Sequence, residues 1–296
     1  MQDFRMETFL TVCKYLNYTK AEQELNLTQP AVSQHIRYLE NFYQVQLFYH
    51  AGKKVELTRA GELLRNSALT FKHDEIYLMR MLQDTAKNTR NFAFGATLSV
   101  AEFMLPPDLE RLICAYPQSH IRMEVGNTRE LLSKLDAGEL DFAVVEGEFP
   151  REEYEFLLYR KEPYVPVASR KKAEQYRNAE FRELLSERLI LREPGSGTRE
   201  ILERELRRRG MTTDDFSQIT ELGNIGAIQA MLRANLGISF FYQATLTDRE
   251  TQLAPIELKD FSLEHEVMFI FRKNSSFRED YEEIYAFLTN RENSQN

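Results

Sequence analysis

Apolar residues recur at helical spacing in the first forty residues and predict three short helices. The first stripe consists of Phe4, Phe9, Val12, Cys13 and Leu16. Asn17-Tyr18 interrupts it, and Thr19 to Glu22 reads as a capping box that starts a second helix. Thr28 is the expected cap of a third helix, because Pro30 in the first turn loses no needed amide proton.

The third helix has one apolar face, and a hairpin and a long helix are predicted after it. Val32, Ile36 and Leu39 share that face. Leu47-Phe48 and Val55 to Leu57 predict two short strands around a polar turn. Short helices followed by such a hairpin indicate a winged helix-turn-helix, with the helix-turn-helix at about 18–37.

Thr58 is placed to cap a helix from Arg59 to about Thr89, roughly 45 Å long at 1.5 Å per residue. Its apolar residues fall at alternating spacings of three and four: Leu64, Ala68, Phe71, Leu78 and Leu82. The spacing favours a helix that pairs with a copy of itself. A helix buried within one subunit remains the alternative.

From Asn91 onward, predicted strands alternate with predicted helices, which is typical of α/β units with mostly parallel sheets. The predicted strands are 92–96, 121–125, 142–145, 164–168, 189–191, 238–241 and 267–271. The predicted helices lie near 99–115, 128–137, 171–186, 197–209 and 224–235. About two hundred residues exceed one such sheet, so we expect two lobes with a cleft between them. The predicted domains are 1–58 for the winged helix, 59–90 for the linker helix and 91–296 for the effector domain. Lobe 1 would comprise 91–162 and 267–296, and lobe 2 would comprise 163–266.

Composition and charge narrow the class of protein. The hydrophobic fraction of 43% and charged fraction of 28% are those of a folded globular chain. No apolar run is long enough to span a membrane, and the first residues lack the features of a signal peptide, so we expect a cytoplasmic location. Cys13 and Cys114 are far apart and are interpreted as reduced thiols. The net charge of −8 means that any DNA affinity must come from local placement of cations.

The outer face of the third helix carries groups suited to base edges. Glutamine matches adenine and arginine matches guanine in the major groove, while small apolar groups contact thymine methyls. Lysines at the hairpin tip are placed to contact phosphates. The predicted DNA-binding residues are Thr28, Gln29, Pro30, Ala31, Ser33, Gln34, Arg37, Lys53 and Lys54. A solvated surface is the alternative for each residue alone.

The segment from Asn17 to Glu40, together with Leu47-Phe48 and Leu57 to Gly61, resembles the N-terminal domain of LysR-type transcriptional regulators. The resemblance implies double-stranded promoter DNA as a partner, a dimer through the linker helix, commonly a tetramer, and a small-molecule effector. RNA polymerase is a further candidate partner. Gln34 and His50 stand where many relatives have arginine, which leaves the operator sequence open.

Several segments that follow predicted strands can converge at one sheet edge and form a ligand site. Glycine-rich turns and free amides at helix starts attract anions. The predicted effector-binding residues are Thr97, Ser99, Asn127, Glu146, Ser196, Gly197, Thr198, Asn224 and Ile225. In the family these positions belong to a two-lobed domain similar to periplasmic binding proteins.

Val144 to Gly147, Arg192 to Arg199 and Glu221 to Asn224 resemble the branch that regulates sulfur assimilation. The resemblance suggests a sulfur oxyanion or a related metabolite. Glu146 conflicts with an anion site unless it pairs with Arg199 or a similar cation; contact with an amine of the ligand or a loop cap are the alternatives.

An enzyme is the main competing class. The Ser196 segment does not make a nucleophile elbow, Gly195-Ser196-Gly197 lacks the third glycine of a dinucleotide loop, and the histidines lack metal-ligand spacing. We therefore expect no catalysis, cofactor or metal. A plain solute-binding protein would explain the lobes but not the helix-turn-helix.

Overall fold

The N-terminal helices pack around a small apolar core beneath a hairpin. The computed structural model describes residues 3–52, 54–246 and 252–289. Its first elements are α1 (Phe4–Tyr15), α2 (Tyr18–Leu25), α3 (Gln29–Tyr43), β1 (Phe48–Ala51) and β2 (Lys54–Leu57). Val32, Ile36 and Leu39 are buried as predicted, against Phe9 and Phe48.

Helix α2 begins earlier than the sequence indicated. The Asn17 side chain accepts a hydrogen bond from the Lys20 amide at 3.1 Å, so Asn17 is the cap and the predicted capping box at Thr19 is wrong. Both residue types suit the position, and the tight turn after α1 decides between them, because the left-handed Leu16 directs Asn17 into the extended cap conformation.

Helix α4 (Arg59–Lys87) is the predicted linker helix, and two of its faces have different surroundings. Leu64 packs on the winged-helix core and Ala68 is buried, whereas Phe71, Leu78 and Leu82 are exposed. The predicted five-residue stripe is therefore not a single surface. The exposed apolar face, called the linker face below, consists of Leu63, Phe71, Leu78, Met79 and Leu82.

A neighbouring side of α4 is fixed to the effector domain of the same chain. Thr70 Oγ1 donates to the Lys273 carbonyl at 3.0 Å, and His73 Nε2 lies 2.9 Å from the Leu140 carbonyl. Asp74 accepts from Ser275 Oγ at 2.6 Å. The alternative of burial within one subunit thus holds for this side only.

Lobe 1 is built on strands that were predicted residue for residue. These are β3 (Phe92–Ala96), β4 (Ile121–Val125) and β5 (Phe142–Val145). Its helices are α5 (Leu98–Phe103), α6 (Pro106–Ala115), α7 (Thr128–Ala137) and α11 (Arg278–Thr289). The single helix expected over 99–115 is divided, because Pro106 starts a new helix. Helix α11 was not predicted.

Two long strands join the lobes. Strand β6 (Tyr154–Ser169) pairs with β11 (Glu264–Arg272) over its first part, and beyond Pro163 it pairs with β9 (Ser239–Tyr242) and β10 (Leu253–Pro255). We place the boundary between the lobes along β6 and β11. All these pairings are antiparallel, so the expectation of mostly parallel sheets is wrong. Parallel pairing joins β3 to β4 and β5, and β7 (Arg188–Leu191) to β8 (Gln218–Glu221), and an isolated parallel bridge joins Leu189 to Ile238.

The remaining elements form lobe 2. They are α8 (Arg170–Gln175), β7 (Arg188–Leu191), α9 (Gly197–Arg208), β8 (Gln218–Glu221) and α10 (Ile225–Arg233). The helix expected over 171–186 is α8 followed by a 3₁₀ turn at 181–186. The carboxyl ends of β3 and β5 from lobe 1 and β7 from lobe 2 open on one cleft, where open α/β sheets bind ligands.

Candidate DNA-binding surface and effector cleft

The outer face of α3 presents its polar groups to solvent. Gln29, Pro30, Gln34 and Arg37 are exposed, while Ala31 and Ser33 are half-buried. Gln29 Nε2 donates to Ser33 Oγ at 3.2 Å, which orders the first turn of the helix. Thr28 occupies the cap position without a side-chain cap hydrogen bond, so its hydroxyl is available to another partner.

Two of the predicted DNA-binding cations have no acidic partner in the part of the chain that the structure describes. Arg37 and Lys54 are exposed and form no ion pair there, whereas Lys14 is paired with Glu24 at 2.9 Å. Lys53 lies outside the described residues. Cations without intramolecular partners can approach DNA without first breaking an ion pair.

His35 has a structural role. Its Nδ1 lies 2.9 Å from Thr8 Oγ1, and its ring packs edge-on against Phe4. These contacts tie α3 to α1. The side chain of His35 therefore helps to fix the orientation of α3 and is not free to contact another molecule through Nδ1.

The cleft between the lobes contains a cavity of about 280 Å³. Five predicted residues line it: Thr97, Asn127, Glu146, Ser196 and Gly197. Ser99, Thr198 and Ile225 are buried behind its wall, where Ile225 packs into the lobe 2 core. Asn224 is exposed and caps α10 through the Ala227 amide at 3.0 Å, and it does not line the cavity.

Arg192 and Glu193 also line the cavity and were absent from the predicted set. The signal that could have found them is their position directly after β7, the same logic that selected Glu146 after β5. Arg192 is 7% exposed and donates twice to Glu193, from Nε and Nη2, each at 2.7 Å. Its positive charge is thus shared between Glu193 and the cavity.

Glu146 is the most unusual group in the cleft. It is 2% exposed, and its Oε2 forms no hydrogen bond within the described residues; the same holds for Thr97 Oγ1. Burial raises the pKa of Glu146 to about 7, and the nearby Arg192 charge and the Tyr242 and Ser99 hydroxyls only partly oppose this. Arg199 is not its partner, because it binds Glu203 at 2.7 Å and Glu221 at 2.8 Å.

The start of α9 lies directly against the lobe 1 loop that carries Glu146. A Cβ atom on Gly197 would come within 2.8 Å of Glu146 Cγ, and Gly197 Cα lies 3.2 Å from the position of a Cβ on Gly147. Only glycine permits so close an approach of the two lobes. Behind it, Ser196 Oγ lies 2.8 Å from Thr198 Oγ1, and Tyr164 Oη donates to the Thr198 carbonyl at 2.7 Å.

Comparison with known families agrees with this arrangement. Residues 4–62 match the bacterial regulatory helix-turn-helix protein, lysR family, and residues 86–292 match the LysR substrate binding domain. The chain belongs to the LysR family of transcriptional regulators. It is a regulator with a DNA-binding and a ligand-binding domain, and not an enzyme.

Individual relatives are distant but extend over nearly the whole regulator. It is 27% identical to the HTH-type transcriptional regulator CysL of Bacillus subtilis, covering 96% of this chain and 94% of that one. It is 28% identical to the RuBisCO operon transcriptional regulator of Allochromatium vinosum, covering 91% and 89%.

Solved structures share the fold of this regulator. The Corynebacterium glutamicum OxyR C206 mutant superposes with a TM-score of 0.60 at 21% identity, over 96% of this chain and 89% of that one. Full-length BenM superposes with a TM-score of 0.60 at 18% identity, over 98% of this chain and 95% of that one. Among the helices that the structure describes, none combines the length and apolar character that a bilayer span needs.

Proposed function

We propose that this regulator binds promoter DNA in the cytoplasm as a homodimer or homotetramer, and that a small effector in the interlobe cleft changes how it binds. The observation that carries the first part is the exposed face of α3, with Gln29, Gln34 and Arg37 backed by buried Val32 and Ile36. This is the arrangement of a recognition helix in the major groove.

The linker face supports assembly into a dimer. Phe71 is 67% exposed and Leu82 is 62% exposed, on a helix whose other side is already packed on its own chain. Exposed large apolar groups in a row favour burial against a second copy of the same helix. Two copies would present two recognition helices to the halves of a palindromic site, and RNA polymerase would be recruited by the DNA-bound assembly.

Contacts between α4 and lobe 1 offer a route from the cleft to the DNA. An effector that alters the approach of Gly197 to Glu146 changes the angle between the lobes. His73 and Asp74 hold α4 on lobe 1, so α4 and lobe 1 would move together. A change in the angle between the lobes would therefore also change the position of α4 relative to lobe 2. Half-site spacing and DNA bending would then change.

An anionic group of the effector fits the start of α9. This helix has twelve residues, and its free N-terminal amides and the Ser196 hydroxyl lie at the cavity. Sulfur oxyanions and related metabolites are the first candidates, on the resemblance to the sulfur-assimilation branch.

The DNA part is tested with Arg37→Ala and a matched control, Arg208→Ala, which removes an exposed arginine from α9 instead. Duplexes selected by the wild-type protein from a randomised pool serve as the probe. We expect Arg37→Ala to weaken binding by about 1–3 kcal/mol in a manner that depends on the bases, with Arg208→Ala close to wild type. A uniform loss across all duplexes would make Arg37 a phosphate contact, and no binding of any duplex at low salt would refute the proposal.

The cleft is tested with Ser196→Ala and Thr97→Val, each of which removes one hydroxyl from the cavity wall. Both variants should lose the thermal stabilisation produced by anions that stabilise the wild-type protein, sulfate, sulfite and thiosulfate included. An anion that stabilises all three proteins equally would lie outside this cleft.

A further inference from the structure

The interlobe cavity holds a carboxyl group, that of Glu146, with one oxygen that accepts no hydrogen bond from the described residues. Glu146 Oε2 is buried, lines the cavity and lacks a hydrogen-bond donor among the described residues. Buried polar atoms are normally satisfied, and an orphan at a ligand cavity indicates a group that the ligand supplies. Thr97 Oγ1 on the cavity wall also lacks a hydrogen-bond partner among the described residues.

The charges around Glu146 disfavour a ligand that is only an anion. Arg192 is the one cation among the described residues that line the cavity, and Glu193 already holds it with two hydrogen bonds. Glu130 and Glu193 are further carboxylates on the same wall. The titratable groups that face Glu146 from neighbouring elements are Arg192, Glu130, Glu193, Tyr164 and Tyr242, with His265 behind Tyr242.

The cavity also offers an anion subsite a short distance away. The Gly197 backbone at the start of α9 packs directly on the Glu146 side chain. A ligand at this point therefore meets a hydrogen-bond acceptor and a set of backbone donors within a few ångströms of each other. A volume of about 280 Å³ suits a molecule of few heavy atoms.

We propose that the effector is a small zwitterion of the α-amino acid class, whose ammonium group donates to Glu146 Oε2 and whose carboxylate binds at Ser196 and the first amides of α9. This inference rests on the proposed effector cleft. It assigns Glu146 as the residue that distinguishes an amino acid from a simple anion.

Calorimetric titration of the full chain with matched compounds tests the assignment. Each common L-α-amino acid is compared with the 2-hydroxy acid of the same shape, for example alanine with lactate, serine with glycerate and aspartate with malate; sulfate and thiosulfate complete the set. We expect at least one amino acid to bind, its hydroxy acid to bind at least about tenfold more weakly, and Glu146→Gln to lose at least about tenfold for the amino acid only.

The pH dependence gives an independent reading on the wild-type protein. An ammonium ligand needs the Glu146 carboxylate, so amino acid affinity should fall as the pH is lowered from about 8 to about 6, through the raised pKa of Glu146. A simple anion would instead accept a hydrogen bond from the protonated acid, and its affinity would rise over the same interval. The two ligand classes therefore predict opposite slopes.

Three results would overturn the inference: no amino acid binds at about 10 mM, hydroxy acids or inorganic anions bind as tightly as amino acids, or affinity rises as the pH falls. In the last two cases the anionic effector cleft of the proposed function stands. Failure of the cleft itself is different, because ligands would then bind the Ser196→Ala and Glu146→Gln proteins as tightly as the wild type.

Discussion

Replacing Gly61 with alanine would place a methyl group where the winged helix meets the linker helix. Gly61 lies in the first turn of α4 and its amide donates to Thr58 Oγ1 at 3.0 Å. A Cβ atom here would fall well inside van der Waals contact of the Leu47 carbonyl oxygen, and 2.8 Å from Leu57 Cδ2. The carbonyl belongs to the backbone and also accepts from the Thr58 amide at 3.0 Å, so it cannot move freely.

Two opposing contributions decide whether Gly61→Ala raises or lowers the stability of the domain. In an open helix, glycine to alanine stabilises by about 0.5–1 kcal/mol, because alanine loses less backbone entropy on folding. Overpacking of a rigid contact costs about 1–3 kcal/mol, and a backbone obstacle places Gly61→Ala at the upper end. We therefore expect a net loss of about 2 kcal/mol, which corresponds to about 30-fold in the opening equilibrium of the domain.

Hydrogen exchange followed by mass spectrometry measures the stability of the winged-helix domain separately from that of the other domains. Amides of α3 in the Gly61→Ala protein should exchange about 30-fold faster, and those of β3 and β5 should not change. The control is Glu62→Ala, one residue along on the exposed side of α4, with an expected effect within about 0.5 kcal/mol. Unchanged or slower exchange in α3 of the Gly61→Ala protein would refute the steric argument.

Three further predictions concern other parts of the molecule. Phe71→Asp together with Leu82→Asp should produce monomers in light scattering and a large loss of DNA affinity, because both groups lie on the linker face; a variant that stays dimeric would place the interface elsewhere. Asp136→Ala should lower the free energy of unfolding of the effector domain by about 3 kcal/mol, because it removes the nearer carboxylate of the fully buried Arg272, at 2.7 Å, and leaves Glu153 at 4.0 Å as the remaining ion-pair partner among the described residues; the exposed pair of Arg278 and Glu282 provides the control, with a loss below about 1 kcal/mol for Glu282→Ala. Glu146→Gln should stabilise the ligand-free protein at pH 8 and not at pH 4.5. The folded pKa of Glu146, about 7, is above its usual 4.5, so the stability that protonated Glu146 contributes is fully present below pH 4.5 and declines by about 3 kcal/mol as the pH rises to 7. A difference in melting temperature between the two proteins that does not change with pH would contradict this.

Local signals were sufficient for much of the fold. The strands β3, β4 and β5 and helix α7 were predicted residue for residue, because each has its own apolar run or capping residue within a few positions. The buried face of α3 followed in the same way from Val32, Ile36 and Leu39. Asn17 and Thr19 show the limit of such signals. Both residue types are good helix caps, and the sequence does not tell which of the two positions starts the helix.

The sequence by itself determined the helix periods, the strand cores and the residue types at the ends of β3, β5 and β7. Only the tertiary structure decided which side of α4 is covered, because the groups that cover it, such as Lys273 and Ser275, lie about two hundred residues away along the chain. The same is true of Glu146: its raised pKa arises from burial, which the nearby Arg192 only partly opposes, and α9 packs closely against its side chain. Burial and charge pairing depend on distances in space, which periodicity along one segment does not contain.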